Sequence, residues 1–326
     1  MPSSFAGRYR PQQEKRRGEI IVIRGPPRSR SKIEWLCGSL DVSITALTDL
    51  HIGWVQFRLG VKEGEATAVL KRTGDWRRAV EELAKGLKLD HQPFCECGGI
   101  PTIPGATAKG NVRSRIEFGF REKMGRVRSC FVAGGGRGSW RHRAIWADVI
   151  REQRPDQCKF DPREGMDKVC LVCDLFGTTS LAGLVKFSDL VGRDTVLEDR
   201  NFDFNMKLKV APKGSVFRGR IDFFNLRPEE LGLLLLGMGM QDGAEGRPVL
   251  MGRLKYRHHD RIGQVRYRLD TIRLSELSKG LLLEAVKPGE EVEGAKVAGE
   301  LIECARSKYE DFQVVDEVKK LAEAKR

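Results

Sequence analysis

At 326 residues the chain can build one large core with insertions, or two domains. Its apolar share of 40% is ordinary for a globular protein, but 58 Lys and Arg against 45 Asp and Glu leave a net charge of +13, which suggests a polyanionic partner, most often nucleic acid. No run approaches the roughly 18 apolar residues of a membrane span, no hydrophobic signal region opens the chain, and eight cysteines are too sparse for a secreted disulfide scaffold. A cytoplasmic protein with no membrane partner is expected, in which clustered cysteines are metal ligands.

Residues 1–37 form a basic N-terminal arm, crowded by Arg8, Arg10, Lys15, Arg16, Arg17, Arg24, Arg28, Arg30 and Lys32 and broken by Pro26-Pro27. Such an arm is loosely ordered or lies along a phosphate backbone. Leu40 to Leu47 alternates apolar and polar residues and is predicted as a strand that runs into His51-Ile52-Gly53. An insertion, residues 54–97, follows; Asp75 is suited to cap a helix whose apolar stripe is Trp76, Val80, Leu83 and Leu87.

The densest pattern lies at 98–121. Pro104-Gly105 marks a turn, and a helix is predicted after it with Thr107 as N-cap and Ala108, Val112, Ile116 and Phe120 as its apolar face. Lys109 and Arg113 share the adjoining face, where two cations oppose the helix dipole at a cost of about 0.3–1 kcal/mol each. A phosphate at the helix start would offset that cost, since free N–H groups, dipole and cations would all point at it; the alternative is a solvated basic face. Gly105 and Gly110 have P-loop spacing, but Asn111-Val112 stands where Lys-Ser/Thr is required, which excludes a Walker A site.

A second insertion, residues 122–169, carries the flexible basic loop Gly134–Gly138, a helical stretch from Trp140 to Gln153, and Cys130, His142 and Cys158. Cys170-Leu171-Val172-Cys173 has the chelating spacing of a zinc knuckle, so a closed Cys₃His structural zinc site is predicted from His142, Cys158, Cys170 and Cys173, with Cys130 able to replace one ligand. Cys95 and Cys97, one residue apart, chelate poorly. The competing reading is a reduced, buried CxxC without metal.

A strand ends at Asp189, and a hairpin is predicted over 202–224 with Pro212-Lys213-Gly214-Ser215 as its turn. Leu226-Arg227-Pro228-Glu229-Glu230 opens an apolar helix to about Met240. A basic, glycine-containing loop holding Arg253, Lys255 and Arg257 leads to a strand from Gln264 to Ile272, and a charged helical extension closes the chain over 276–326. Strand, helix, strand pair, helix, strand is the βαββαβ order of an α+β, ferredoxin-like or RRM-like core, here over 38–275 with two large insertions. An RRM of the usual kind stacks bases on sheet aromatics. No such aromatic pair is found, and the basic groups sit on helix starts and loops, a pattern that holds a nucleic-acid backbone rather than reading bases.

Three segments together resemble the RAMP superfamily of CRISPR effector proteins. Ile103-Pro104-Gly105-Ala106-Thr107-Ala108-Lys109-Gly110-Asn111-Val112-Arg113-Ser114-Arg115 resembles the family's "IPGSSLKGxxR" segment, and Cys170 to Asp189 its "C-x-x-C-x-LFG…G-x-V-x-FSD" segment; the loop at 246–259 is a looser match to "GxxxxxGxGxV". The most similar member is the repeating backbone subunit of type III effector complexes. The resemblance implies single-stranded crRNA held by its backbone, paired target RNA, other CRISPR effector subunits as partners, and self-association along the RNA. It puts His51, Lys109, Arg113, Arg115, Arg253, Lys255 and Arg257 at the RNA. It also implies target cutting by an aspartate soon after the first strand, with Mg²⁺ or Mn²⁺. This chain has no Asp between Gly53 and Gly74, and the first candidate, Asp75, is better placed as a helix cap. Two other readings stay open: a crRNA-processing endonuclease using His51, and a structural zinc protein of another ribonucleoprotein.

Overall fold

Strand β2, Leu36–Ala46, lies inside the main sheet: Leu36, Leu40, Val42, Ile44 and Ala46 are buried on one face, while on the other Ser39, Asp41 and Thr45 are half-buried and Cys37 and Ser43 are covered. (A short strand β1, Ile21–Val22, precedes it.) The computed structural model describes residues 20–53, 63–86, 91–131, 145, 146, 149, 157–202, 206–280 and 283–324. Helices α1, Glu63–Thr73, and α2, Trp76–Gly86, lie in the first insertion, followed by short strands β3, His91–Gln92, and β4, Glu96–Cys97. Then come β5, Ile100–Ile103, helix α3, Gly105–Gly119, β6, Arg126–Val127, and α4, Leu171–Phe176. The second half holds β7, Val185–Phe187, β8, Leu190–Val191, β9, Glu198–Phe202, β10, Met206–Val210, and β11, Val216–Leu226. It closes with α5, Pro228–Gly237, β12, Val249–Leu250, β13, Gln264–Leu274, β14, Glu291–Glu293, α6, Gly294–Lys308, and α7, Glu317–Ala324.

Among the described residues the main sheet has nine strands, and β2 lies between β11 and β13, antiparallel to both. β7 and β8 pair with the far side of β11, also antiparallel. The chain is therefore a mixed α+β protein. The apolar face of α3 is as the spacing predicts: Ala108, Val112, Ile116 and Phe120 are all 0% exposed. Burying each of the larger three contributes about 1.5–3 kcal/mol. Helix α5 is apolar on every side and is enclosed by α3 and α6. It approaches α6 closely at Gly232, where a Cβ would lie 1.8 Å from the Leu301 carbonyl oxygen. No helix among the described residues is long and apolar enough to cross a membrane.

Several boundaries depart from the sequence reading, each for a physical reason. The helix at 98–121 starts at Gly105, so Thr107 lies inside its first turn; the cap comes from far along the chain, where Asp189 Oδ1 accepts from the Gly105 N–H at 2.7 Å. The turn at Pro212–Ser215 forms, but β10 and β11 do not pair with each other: β10 joins β9 and β3 in a separate three-stranded sheet. The C-terminal extension adds strand β14 to the sheet before two helices, α6 and α7, the first of which ends at Tyr309. Residues 54–62 and 87–90 lie outside the described part of the first insertion, which leaves and rejoins the core at one point, Gly53 bridging Phe94 and the Cys95 N–H donating to the Ile52 carbonyl at 2.8 Å.

The basic arm also differs. Residues 1–19 lie outside the described part, but 20–35 are pinned to the body. β1 pairs in parallel with β6, and Gly25 bridges Val169. Arg28 Nε donates to Asp174 Oδ2 at 2.9 Å, Arg28 Nη1 pairs with Glu230, and Arg30 Nη1 reaches Asp174 Oδ1 at 2.6 Å. The buried Asn225 amide ties the strap down, accepting from the Glu34 and Trp35 N–H groups and donating to the Ser29 and Lys32 carbonyls. These arginines neutralise buried acids, so part of the positive charge serves the fold.

Candidate metal centre and nucleic-acid interface

Cys170 is the N-cap residue of α4 and Cys173 lies in its first turn, so the CxxC spacing puts both sulfurs on one side of the helix start. Cys158, from the segment leading to α4, and Cys130, just beyond β6, complete a group of four buried cysteines whose sulfurs all lie within 4.8 Å of one another. Cys130 Sγ is 3.5 Å from Cys173 Sγ and 3.7 Å from Cys170 Sγ. Those spacings are far beyond the ~2.05 Å of a disulfide. They match the edge of a tetrahedron with metal–sulfur bonds of about 2.3 Å, roughly 3.8 Å. The group can hold a metal ion. Three of the four ligands expected from the sequence are here, and the fourth sulfur is that of Cys130; His142 lies outside the described residues.

Two arginines face the sulfurs. Arg24 Nε donates to Cys158 Sγ at 3.3 Å and Arg113 Nη2 to Cys173 Sγ at 3.5 Å, while the Cys170 N–H donates to Cys158 Sγ at 3.3 Å. The Cys158 thiol is held well below its ordinary value, first by the hydrogen bond from Cys130 and then by those from its other neighbours and Arg24; Cys130 is pushed up as the donor, with burial adding to it. A tetrathiolate holding a divalent cation carries a net charge of about −2, which two guanidinium groups balance. The donor set thus fits a thiophilic metal.

On the other side of α3, three segments singled out in the sequence meet. Loop residues 251–263 pack on His51-Ile52-Gly53: the Arg253 N–H donates to the His51 carbonyl at 3.0 Å, and Gly263 N–H to the Asp49 carbonyl at 2.7 Å. Gly252, at φ +82°, is required there, because a Cβ would sit 2.4 Å from the His51 carbonyl oxygen. Leu254, at φ +60°, holds a left-handed conformation costly for a branched side chain, in the middle of this loop. The helix start joins through Asn111, whose Nδ2 donates to the Leu250 carbonyl at 2.8 Å.

The expected RNA-contacting residues divide into two groups. Arg253 and Arg257 are exposed on the loop, and Lys109 is half-buried at the helix start with its pKa lowered by burial and by Arg113. The other four turn inward. Arg113 pairs with Glu117 at 2.7 Å and donates to the Gly177 carbonyl at 2.8 Å besides reaching Cys173. Arg115, 7% exposed, donates to the Gly237 carbonyl and to Asn111 Oδ1, both at 2.7 Å, and stands over the Tyr267 ring. Lys255 Nζ lies 3.4 Å from the Leu250 carbonyl oxygen and 5.0 Å from the Tyr256 ring centre, its pKa lowered by burial. His51 is wholly buried, with Nδ1 at 2.7 Å from the Lys209 carbonyl oxygen, behind the surface rather than on it.

Asp75 is exposed, and its Oδ1 accepts from the Arg77 N–H at 2.8 Å, the geometry of a helix N-cap. At the start of α3 the Asp189 carboxylate accepts from the Gly105 N–H. Four residues were not singled out from the sequence: Arg24 at the sulfurs, and Asn111, Tyr267 and Glu317 in the buried network behind the loop. An asparagine inside the Lys109-Gly110-Asn111 run was the one legible signal.

With this geometry in view, comparison with protein families shows that a model of the RAMP superfamily matches residues 43–301. No curated protein matches the chain. The matched span takes in the end of β2, α3, the CxxC, the β11 and β13 strands and the basic loop; it leaves out the strap at 20–35, the first part of β2 and everything beyond residue 301, which lies within α6.

Proposed function

Because the chain belongs to the RAMP superfamily, its model covering residues 43–301, we propose that it is a crRNA-binding backbone subunit of a type III CRISPR interference complex in the cytoplasm. The observation that carries the proposal is the meeting of two family-like segments, α3 and the basic loop at 251–263, with His51-Ile52-Gly53 beyond the end of β2. The core is read as ferredoxin-like. In its support, the strands equivalent to fourth, first, third and second of a βαββαβ unit lie in that spatial order, all antiparallel, as β13, β2, β11 and β7.

The guide strand is held by its phosphates. Lys109, Arg253 and Arg257 supply the cations, and Arg113, Arg115, Lys255 and His51 support them from behind. Holding without base reading suits a guide of any sequence, with recognition left to base pairing, as in RNA-guided effectors generally. Copies of the chain stack along one crRNA beside other effector subunits. The metal is Zn²⁺, structural, held by Cys158, Cys170, Cys173 and Cys130 or His142.

The test is a salt titration of binding to single-stranded RNA. Affinity should be indifferent to sequence and fall steeply with salt. Lys109→Ala, Arg253→Ala and Arg257→Ala combined should weaken all RNAs alike and reduce the salt slope by about 2, at ~0.7 per phosphate on a single strand. An unchanged slope in the triple variant sinks this interface.

The protein is expected to bind target RNA and to cut it slowly or not at all. Asp75 works as a cap, and Glu63 and Glu65, one methylene longer, place a carboxylate differently, a shift that can cost about 10²-fold in rate. The assay is labelled target paired to guide RNA on the assembled protein, with Mg²⁺ or Mn²⁺. Cuts at regular spacing that vanish in Asp75→Ala would make Asp75 the catalyst. Otherwise that substitution should cost only about 1 kcal/mol of stability at the cap.

A further inference from the structure

The basic loop at 251–263 and the start of α3 come from distant parts of the chain, and one element touches the supports of both. Residues 309–324 run back from the end of α6 along the outer side of α3. The Gln313 N–H donates to the Gly119 carbonyl at 2.9 Å, the Arg121 N–H to the Asp311 carbonyl at 2.8 Å, and Arg128 Nε to both Asp311 carboxylate oxygens at 3.0 Å. The Phe312 ring fills the space over Gly119, where a Cβ would meet it at 2.3 Å. This fixes one end of the segment to the end of α3.

The other end enters the core. Glu317, 3% exposed, opens α7, and its Oε2 accepts from the Leu250 N–H at 3.2 Å, at the entry to the basic loop. Its Oε1 lies 3.5 Å from Arg115 Nη1. The Leu250 carbonyl in turn accepts from Asn111 Nδ2 of α3, and Arg115 and Tyr267 both donate to Asn111 Oδ1, at 2.7 and 3.0 Å. Leu321, one turn on, packs with Phe118 and Leu250. Among the described residues Glu317 supplies the only carboxylate of this hub. It reaches both halves of the interface, and it belongs to a segment beyond the RAMP match, which ends at 301.

We propose that residues 309–324 form a clamp that sets the pose of the basic loop against α3, with Glu317 as its positioning residue, so that RNA affinity depends on a segment that touches no RNA. The link to affinity rests on the RNA-binding reading above; the clamp itself does not. A buried carboxylate bonded to a backbone N–H and facing a guanidinium resists displacement, because removing it leaves Arg115 buried without its counter-charge.

The experiment uses the full, metal-loaded chain and two variants, Glu317→Ala and Glu317→Gln; the second keeps an acceptor for Leu250 and remains usable if the first does not fold. Hydrogen exchange without RNA should speed up by tenfold or more at the Leu250 and Arg253 amides, with metal content unchanged. RNA affinity, measured well below each variant's melting temperature, should fall about tenfold with a shallower salt slope. Wild-type exchange at Arg253 in both variants overturns the clamp. Faster exchange with wild-type affinity and slope overturns its link to binding. A wild-type protein that shows no salt-dependent RNA binding overturns the RNA reading instead, and the exchange data still decide the clamp.

Discussion

Cys170→Ser combined with Cys173→Ser is expected to release the bound metal and to destabilise the chain by more than the loss of any single buried ion pair. The unsubstituted protein should carry about one zinc per chain, by the donor set and tetrahedral spacing of the four sulfurs. Structural zinc sites contribute roughly 10–16 kcal/mol of apparent binding energy near neutral pH, and a native domain is stable by only about 5–15 kcal/mol. Losing two of four ligands therefore lowers the melting temperature sharply. The loss also reaches α3, because Arg113 donates to Cys173. Metal analysis and thermal melts of the two proteins check this, and stoichiometric zinc in the double variant would move the site elsewhere. The single variants Cys130→Ser and His142→Ala identify the fourth ligand: zinc should be lost in the first and kept in the second. Acid should release the metal too, since protons compete for the thiolates.

Arg28→Ala should come next, at about 3–5 kcal/mol, the usual cost of removing one partner of a buried ion pair. Arg28 bridges Asp174, Glu230 and the Asn225 carbonyl from a side chain only 15% exposed. Without it Asp174 keeps Arg30, but Glu230 is left with the N–H of Arg227 at 2.8 Å. Burial already raises the Glu230 pKa above the ordinary glutamate range against the pull of Arg28. Removing Arg28 raises it further, so the folded variant binds a proton that the unfolded chain does not. Its stability then falls as pH rises through the folded-state pKa, and the defect relative to wild type should shrink on going from about pH 8 to about pH 5. Denaturant melts at the two pH values read this directly. A defect that grows on acidification would place the lost energy elsewhere than at Glu230.

Both variants act on groups only partly visible in the sequence. The CxxC announced a metal site because two cysteines three apart must share a helix face or turn; the identity of the remaining sulfurs depended on where loops of 12 and 40 residues return. Arg28 reads as one of a crowd of arm cations, since nothing local distinguishes a phosphate-binding arginine from one that neutralises Asp174 across 146 residues. The same limit explains the division among the interface cations. Lys109 and Arg113 are neighbours on one helix face, yet the second is held by Glu117, Gly177 and Cys173.

By itself the sequence determined whatever depends on local periodicity and short-range chemistry. The apolar face of α3, the alternation of β2, the helix cap at Asp75 and the chelating spacing of Cys170 and Cys173 all follow from spacings of two to four residues. Tertiary structure alone decided which charges meet. Asp189 caps α3 at the Gly105 N–H; Cys130 lies with the other three sulfurs; the basic strap turns inward; and Glu317 reaches Leu250 and Arg115. The reason is one of range. Backbone preferences act over a few residues and leave a pattern in the sequence, whereas the partner of a buried charge is set by which distant segment the packed core brings within about 3 Å, and desolvation makes that pairing obligatory once it is buried.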